Sequence, residues 1–210
     1  MCNLYDIGPA RRAQGDRWEA SLAGVIGRLA NPFGRRKTDP APVVLLRESG
    51  EPSASLMRWG FERPYNPSVN NARIEKLDGP WAGPWRERRR CLVPMSAWYE
   101  WSGPAGGKQT FAFTSIDGLW LWAGGLWEQG PTGPAFTVLT RPAAAELAFV
   151  HDRMPALLDP ADFEAFLSHE DPRDLATGSV VPVGVFRCHN PLLHLARHHG
   201  PEPIEMLPGF

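Results

Sequence analysis

The stretch RCLVPMSAWYEWS (residues 90–102) decides the fold. It is rich in aromatic and branched residues and has no helical period, so it reads as a strand. Three runs of the same kind follow: QTFAFTSI (109–116), LWLWAGGLWE (119–128) and AFTVLT (135–140). GPAGGK (103–108) and the pair Asp117–Gly118 read as the hairpin turns between them. Upstream, PVVLL (42–46) and SLMRWGF (55–61) read as further strands, and SVVPVGVF (179–186) as a late one. Helices are fewer. Residues 17–30 set Trp18, Leu22, Val25, Ile26 and Leu29 at helical spacing, and NPFG then supplies turn chemistry. AAAELAFV (143–150) is helix-like, and Asp159 before PADFEAFLS predicts another helix with Phe163, Phe166 and Leu167 on one face. Residues 62–89 have no period and read as a long irregular segment. The expected architecture is α+β, with a largely antiparallel, barrel-like sheet and peripheral helices.

The chain has 210 residues, 43% of them apolar and 21% charged. That balance belongs to a globular chain. The length points to a single domain over 1–210, with a core that needs no disulfide or metal staple. No apolar run approaches the ~20 residues of a membrane span. MCNLYDIGPARR lacks the pattern of a signal peptide, so a cytoplasmic location is expected, nucleoid-associated when DNA is bound. Cys2, Cys91 and Cys188 are too few and too scattered for a disulfide framework. The net charge of −1 hides an asymmetry: residues 1–110 carry +6 and residues 111–210 carry −7. Such asymmetry hints at a polyanion partner, or at two oppositely charged segments packing together.

Several groups could do chemistry. If Met1 is removed, the chain begins with Cys2, a 1,2-aminothiol whose amine (pKa ~7.7–8.0) and thiol (~8.5) are both partly nucleophilic near neutrality. An amine condenses with an aldehyde to an imine, and the adjacent thiol can close on that imine to a thiazolidine. The alternative is a frayed terminus with an incidental cysteine. Glu100 lies in WYEW, and an apolar surround would raise its carboxyl toward acid–base use. Strand alternation puts Trp98 and Glu100 on one face, Tyr99 and Trp101 on the other. His151, in HDRMP, can titrate near neutrality or serve structurally. Asn71, Arg73 and Glu75 would share a strand face, with Arg73 either gripping a phosphate or pairing with Glu75. RERRR (86–90) follows Trp81 and Trp85, and arginines with exposed aromatics suit single-stranded nucleic acid. Trp59 and Phe61 are stacking or core candidates. His194 and His198 have a zinc-like spacing, but no CxxC accompanies them, and neither a metal nor a cofactor is expected.

Taken in order, Cys2, the Trp59–Gly60 pair, NAR-x-E (71–75), RC-x-VP-x-x-x-WYEW (90–101), the Leu139–Thr140 pair and HDRMP (151–155) resemble the SOS response-associated peptidase family, also called abasic-site processing proteins. The resemblance runs from residue 2 to about 158, and the C-terminal part diverges. Other branches of the family have Gly–Arg after the cysteine, so no arginine contact carries over to Asn3 or Leu4.

The resemblance implies a DNA-repair enzyme of the DNA damage (SOS) response that acts on abasic sites in single-stranded DNA, for which a monomer suffices. Cys2 would be the crosslinking nucleophile and Glu100 with His151 the acid–base pair. Asn71 would help hold the N-terminus and the opened sugar. Arg73 would bind phosphate and Arg153 would face DNA. Trp59 and Phe61 would mark the region that bends DNA and stacks on bases. Lyase cleavage and autoproteolytic loss of Met1 are implied side activities. Two rival readings are a cysteine peptidase acting in trans and a nonenzymatic single-strand binder.

Overall fold

The long apolar runs become strands buried on both faces. The computed structural model describes residues 2–9, 12, 15–168, 171, 173, 182–193 and 198–206. In chain order the first strands are β1 (Leu4–Asp6), β2 (Arg35–Arg36), β3 (Pro40–Leu46), β4 (Pro52–Trp59), β5 (Phe61–Arg63), β6 (Asn66–Val69) and β7 (Asn71–Arg73). The rest are β8 (Arg90–Met95), β9 (Ala97–Ser102), β10 (Gln109–Ser115), β11 (Leu121–Gly130), β12 (Gly133–Pro142), β13 (Arg153–Pro155), β14 (Val183–Cys188) and β15 (Pro203–Met206). The helices are α1 (Arg17–Ile26), α2 (Ala82–Arg86) and α3 (Phe163–Ser168). None of them is long and apolar enough to cross a membrane.

Strands β11, β8, β3, β4 and β12 pair in that order, and β12 returns to β11, so five strands close into a barrel. Closure removes the open sheet edge. Only the β4–β12 contact within the ring is parallel. Where β4 ends, β7 takes its place beside β12, again in parallel. An antiparallel sheet of order β15-β14-β10-β9-β1-β2 lies alongside. Period-two alternation divides single strands between two cores. Val43, Cys91, Val93, Phe136 and Val138 enter one core, which also holds Cys2 and Trp98. Val44, Leu92 and Leu139 enter the other, where Trp18 and Leu22 of α1 and Phe163 and Phe166 of α3 cover the barrel. The α+β class with a largely antiparallel barrel-like sheet and outer helices is therefore what the sequence pattern indicates.

Several local readings change. The run 90–102 is two strands, because it breaks at Ser96, whose N–H donates to Asp6 O at 2.9 Å. β8 joins the barrel and β9 the second sheet, so the chain turns a corner there. Asp117–Gly118 is likewise a crossing between the sheets; β10 and β11 do not pair, and the barrel hairpin is β11–β12. Residues 145–150 form turns, and 143–150 contains no helix. Ala143 N–H donates to Asp152 O at 2.9 Å, which ties the segment into a closed loop. Helix α1 stops at Ile26, ahead of Gly27, and the irregular segment 62–89 contains β6, β7 and α2. Asp159 does cap, accepting from Ala161 N–H at 2.9 Å, and its short 3-10 turn leads into α3. The late strand begins at Val183, and 179–181 lie outside the described residues.

The barrel wall is tightest at Gly125. A Cβ there would lie 2.8 Å from Cys91 Sγ, 3.0 Å from Val93 Cγ2 and 3.1 Å from Thr137 O. Gly125→Ala is expected to destabilise the fold by about 1–3 kcal/mol. Chemical denaturation with an unchanged m-value is the check.

Candidate functional site

The site is built where the chain begins. β1 pairs with β9 through Tyr5 opposite Trp98 and Asp6 opposite Ala97. That antiparallel register runs the first residues back along β9 toward Glu100. The pairing is anchored by Asp6, whose carboxylate accepts from Tyr99 Oη at 2.6 Å and from Gly34 N–H at 2.8 Å. Cys2 is 1% exposed, and its thiol donates to Leu4 O at 3.7 Å. Its carbonyl accepts two side-chain amides, Asn71 Nδ2 at 2.8 Å and Asn70 Nδ2 at 3.1 Å. Asn70 Nδ2 also lies 3.1 Å from Asn3 Oδ1. Behind them, Trp59 Nε1 donates to Asn70 O at 2.9 Å, and Val138 N–H donates to the same oxygen at 3.0 Å. The N-terminus is thus pinned by β7, which the barrel strand β12 holds in place.

Glu100 is 3% exposed and lies on the face of β9 that carries Trp98, with Phe111 directly opposite on β10. Burial pushes its carboxyl up to about 7; the amino-terminal charge pulls the other way and the Asp152 carboxylate adds to the rise. Burial, with the nearby Glu100, also raises the Cys2 thiol well above its usual range. Burial lowers the His151 pKa, helped by the amino-terminal charge and opposed by Asp152. Glu100 is thus linked electrostatically to Cys2 on one side and to Asp152, the neighbour of His151, on the other. His151 Nδ1 is 3.0 Å from Arg153 N and 2.8 Å from Asp152 Oδ1. One nitrogen cannot accept from the first while donating to the second. The lowered pKa favours the neutral ring.

Other expected groups fall elsewhere. Trp59 and Phe61 are fully buried, so neither ring can stack on a base in this structure. Trp59 packs on Tyr5 and Phe136 and serves as the support of Asn70. Arg153 is also buried and does not face solvent. It forks onto Glu75, with Nη2 2.9 Å from Oε2, and donates to Thr140 O at 2.7 Å. Asn71, Arg73 and Glu75 do not share a strand face, because a 3-10 turn (Ile74–Lys76) starts after Arg73. With Glu75 held by Arg153, Arg73 is left exposed at the end of β7. The Arg/Trp segment divides: its two tryptophans and Arg90 turn inward, whereas Arg86, Glu87 and Arg88 are exposed and Arg89 is half-buried. Trp81, Trp85 and Arg90 are buried; the Arg90 guanidinium lies over Trp85 at 3.7 Å and donates to Phe166 O at 2.7 Å. Cys91 is a buried strand cysteine. Among the described residues no group of three or more His, Cys, Asp or Glu gathers as metal ligands; His194 lies outside them. Asn70 and Asp152 were not singled out from the sequence. Alternation would send Asn70 and Asn71 to opposite faces, so the doublet hid the fact that both amides reach one carbonyl.

A mixed barrel that clamps Cys2 beside a buried carboxyl and a histidine with a lowered pKa defines a recognisable class. The family model for "SOS response associated peptidase (SRAP)" matches residues 1–189, and the chain belongs to that family. It is 25% identical over 171 residues to the abasic site processing protein YedK of Escherichia coli, covering 75% of this chain and 77% of that one. It is 30% identical over 117 residues to an abasic site processing protein of Saccharomyces cerevisiae, which spans 50% of this chain and 32% of the yeast protein. Against the abasic site processing protein HMCES of Gallus gallus the figures are 26% over 175 residues, 63% of this chain and 52% of that one. The match thus takes in about a third of the yeast relative and half of the chicken one. Two solved structures share the fold. One is a protein of Bordetella bronchiseptica (TM-score 0.69, 20% identity, 90% of this chain and all of that chain). The other is from Bacteroides thetaiotaomicron (TM-score 0.68, 16% identity, 92% and 94%).

A carboxyl raised from 4.5 to about 7 makes the folded state hold a proton that the unfolded chain has released. Below pH 4.5 both states are protonated and Glu100 costs nothing. Stability then falls as pH rises to about 7, and the loss is complete above it, at about 3 kcal/mol. Glu100→Gln is expected to remove this decline and to be more stable than wild type at pH 8 by about 1–3 kcal/mol. Denaturation curves between pH 5 and pH 8 test this; a parallel pH dependence in both proteins would refute it.

Proposed function

We propose that the chain processes abasic sites in single-stranded DNA by capturing them covalently through Cys2 once Met1 has been removed. The observation that carries this reading is the fixed start of the chain beside Glu100, a carboxyl that titrates near 7. The names of the relatives support the substrate.

The chemistry follows from the groups present. A ring-opened abasic sugar presents an aldehyde at C1′. The Cys2 α-amine adds to that carbon, and loss of water gives an imine. The thiol sulfur then adds to the imine carbon, the C=N electron pair moves to nitrogen, and nitrogen takes up a proton as the thiol releases one. The product is a thiazolidine plus one water. The raised thiol suits this order, because the amine must act first and the thiol closes second. Glu100 takes and returns these protons, since a group with a pKa near the working pH does so with least cost. His151, held toward its neutral form, assists opening of the sugar ring. Loss of a proton from C2′ of the imine with departure of the 3′ phosphate is the lyase branch, which thiazolidine closure suppresses. Arg73, exposed at the end of β7, is the phosphate contact. Hydrolytic removal of Met1 would account for the peptidase in the family name.

A trans-acting cysteine peptidase needs a thiolate, and a buried thiol raised further by a carboxylate argues against that reading. A purely passive binder has no use for a buried carboxyl that costs stability.

Wild-type protein incubated with single-stranded DNA bearing one abasic site is expected to give a heat-stable adduct. Cys2→Ala should abolish that adduct while leaving imine-dependent strand cleavage. Glu100→Gln should slow adduct formation about 10²- to 10⁴-fold. Denaturing gels read all three, and an undiminished Cys2→Ala adduct would end the proposal. Noncovalent affinity for the same strand should fall only shallowly with salt, with a slope corresponding to about three phosphates or fewer; a steeper slope would mean a long electrostatic track.

A further inference from the structure

With Trp59 and Phe61 buried, the site has lost the rings expected to hold a base, and a different aromatic stands at its edge. Phe149 is 53% exposed and lies two residues before His151. Its ring packs perpendicular to Phe111, with centroids 6.0 Å apart. Phe111 is the residue directly opposite Glu100 across the β9–β10 ladder, so their side chains share a face. One ring therefore separates Phe149 from the carboxyl.

The presentation of this ring is fixed. Its neighbours Leu147 and Val150 are buried in the core that also contains Cys2. Val150 N–H donates to Leu147 O at 3.1 Å, and Leu147 N–H to Ala144 O at 2.9 Å. The loop is closed by Ala143 N–H on Asp152 O. An exposed aromatic side chain on such an anchored turn is held in place by backbone and core, and ordering it on binding costs little. Its surroundings also discriminate. Glu146 is exposed, and the Asp152 side chain is 83% exposed. Two carboxylates repel a phosphate but not the neutral face of a base. At this rim a strand is best received base-first, with the phosphate left to Arg73.

We propose that Phe149 is a stacking platform for the nucleobase next to the abasic nucleotide. This rests on the DNA reading above, and it assigns a base-binding contact to the acidic half of the chain. Each such stack is worth about 1–3 kcal/mol and tolerates any base, so it confers affinity and register without sequence preference.

The test uses single strands with a stable tetrahydrofuran abasic analogue flanked on one side or the other by 2-aminopurine, whose fluorescence falls on stacking. The analogue has no aldehyde, so the measurement does not depend on crosslinking. Wild type is expected to quench one flanking position. Phe149→Ala should abolish the quench and weaken binding roughly 5- to 100-fold, a factor set by one stack. Phe149→Trp should restore both, and Tyr65→Ala, which removes an exposed ring on the turn after β5, should change neither. Equal quenching by wild type and Phe149→Ala, or quenching at neither position, overturns the proposal. Failure of wild type to crosslink true abasic DNA while the quench persists overturns the covalent reading instead.

Discussion

Everything at the site depends on two amide groups meeting one carbonyl. Asn70 and Asn71 both donate to Cys2 O, which converts the freest part of a polypeptide into a fixed one. Termini fray because few contacts hold them. Here the contacts reach back through Trp59 and Val138 to the barrel wall. The parallel step from β4 to β7 along β12 is what delivers the Asn pair to that point. A barrel that continued β4 without the break would present different residues to the N-terminus.

The same burial that fixes the N-terminus sets the protonation of the groups around it. In water a glutamate, a cysteine and a histidine would all differ from what they are here. Removed from water, Glu100 and Cys2 both keep their protons more firmly, and His151 holds one less firmly. All three move toward the neutral form, as desolvation requires. A set of uncharged donors and acceptors is suited to moving protons without first rearranging solvent. The cost is a folded state that is less stable at neutral pH than an equivalent site without the carboxyl.

Much of this was legible in the chain. Alternation in WYEW correctly separates Trp98 and Glu100 from Tyr99 and Trp101, because those faces enter different cores. Apolar runs buried on both faces identify the barrel strands. Part of what was not legible has a common cause: single runs that change sheets. Ser96 looks like any strand residue until Asp6, far away in sequence, takes its N–H. Asp117–Gly118 has hairpin chemistry, yet a two-residue turn fixes only the local path and not which strand comes next. Arg153 and Arg73 are alike on paper; only the 3-10 turn after Arg73 decides that Glu75 goes to the former. Phe149 carried no signal at all, since its exposure follows from the loop closure between Ala143 and Asp152.

The clamp on Cys2 joins residues 68 and 69 positions apart in the chain, and β1 reaches β9 over a still longer span. Loop closure of that length must precede any reward from the contacts themselves. The site is therefore among the most non-local parts of the molecule, although Cys2 stands near the start of the sequence. A chain whose barrel has not closed carries Cys2 but neither its pinned carbonyl nor the dry carboxyl. Completion of folding and assembly of the site become a single event, so incompletely folded copies contribute Cys2 but no assembled site.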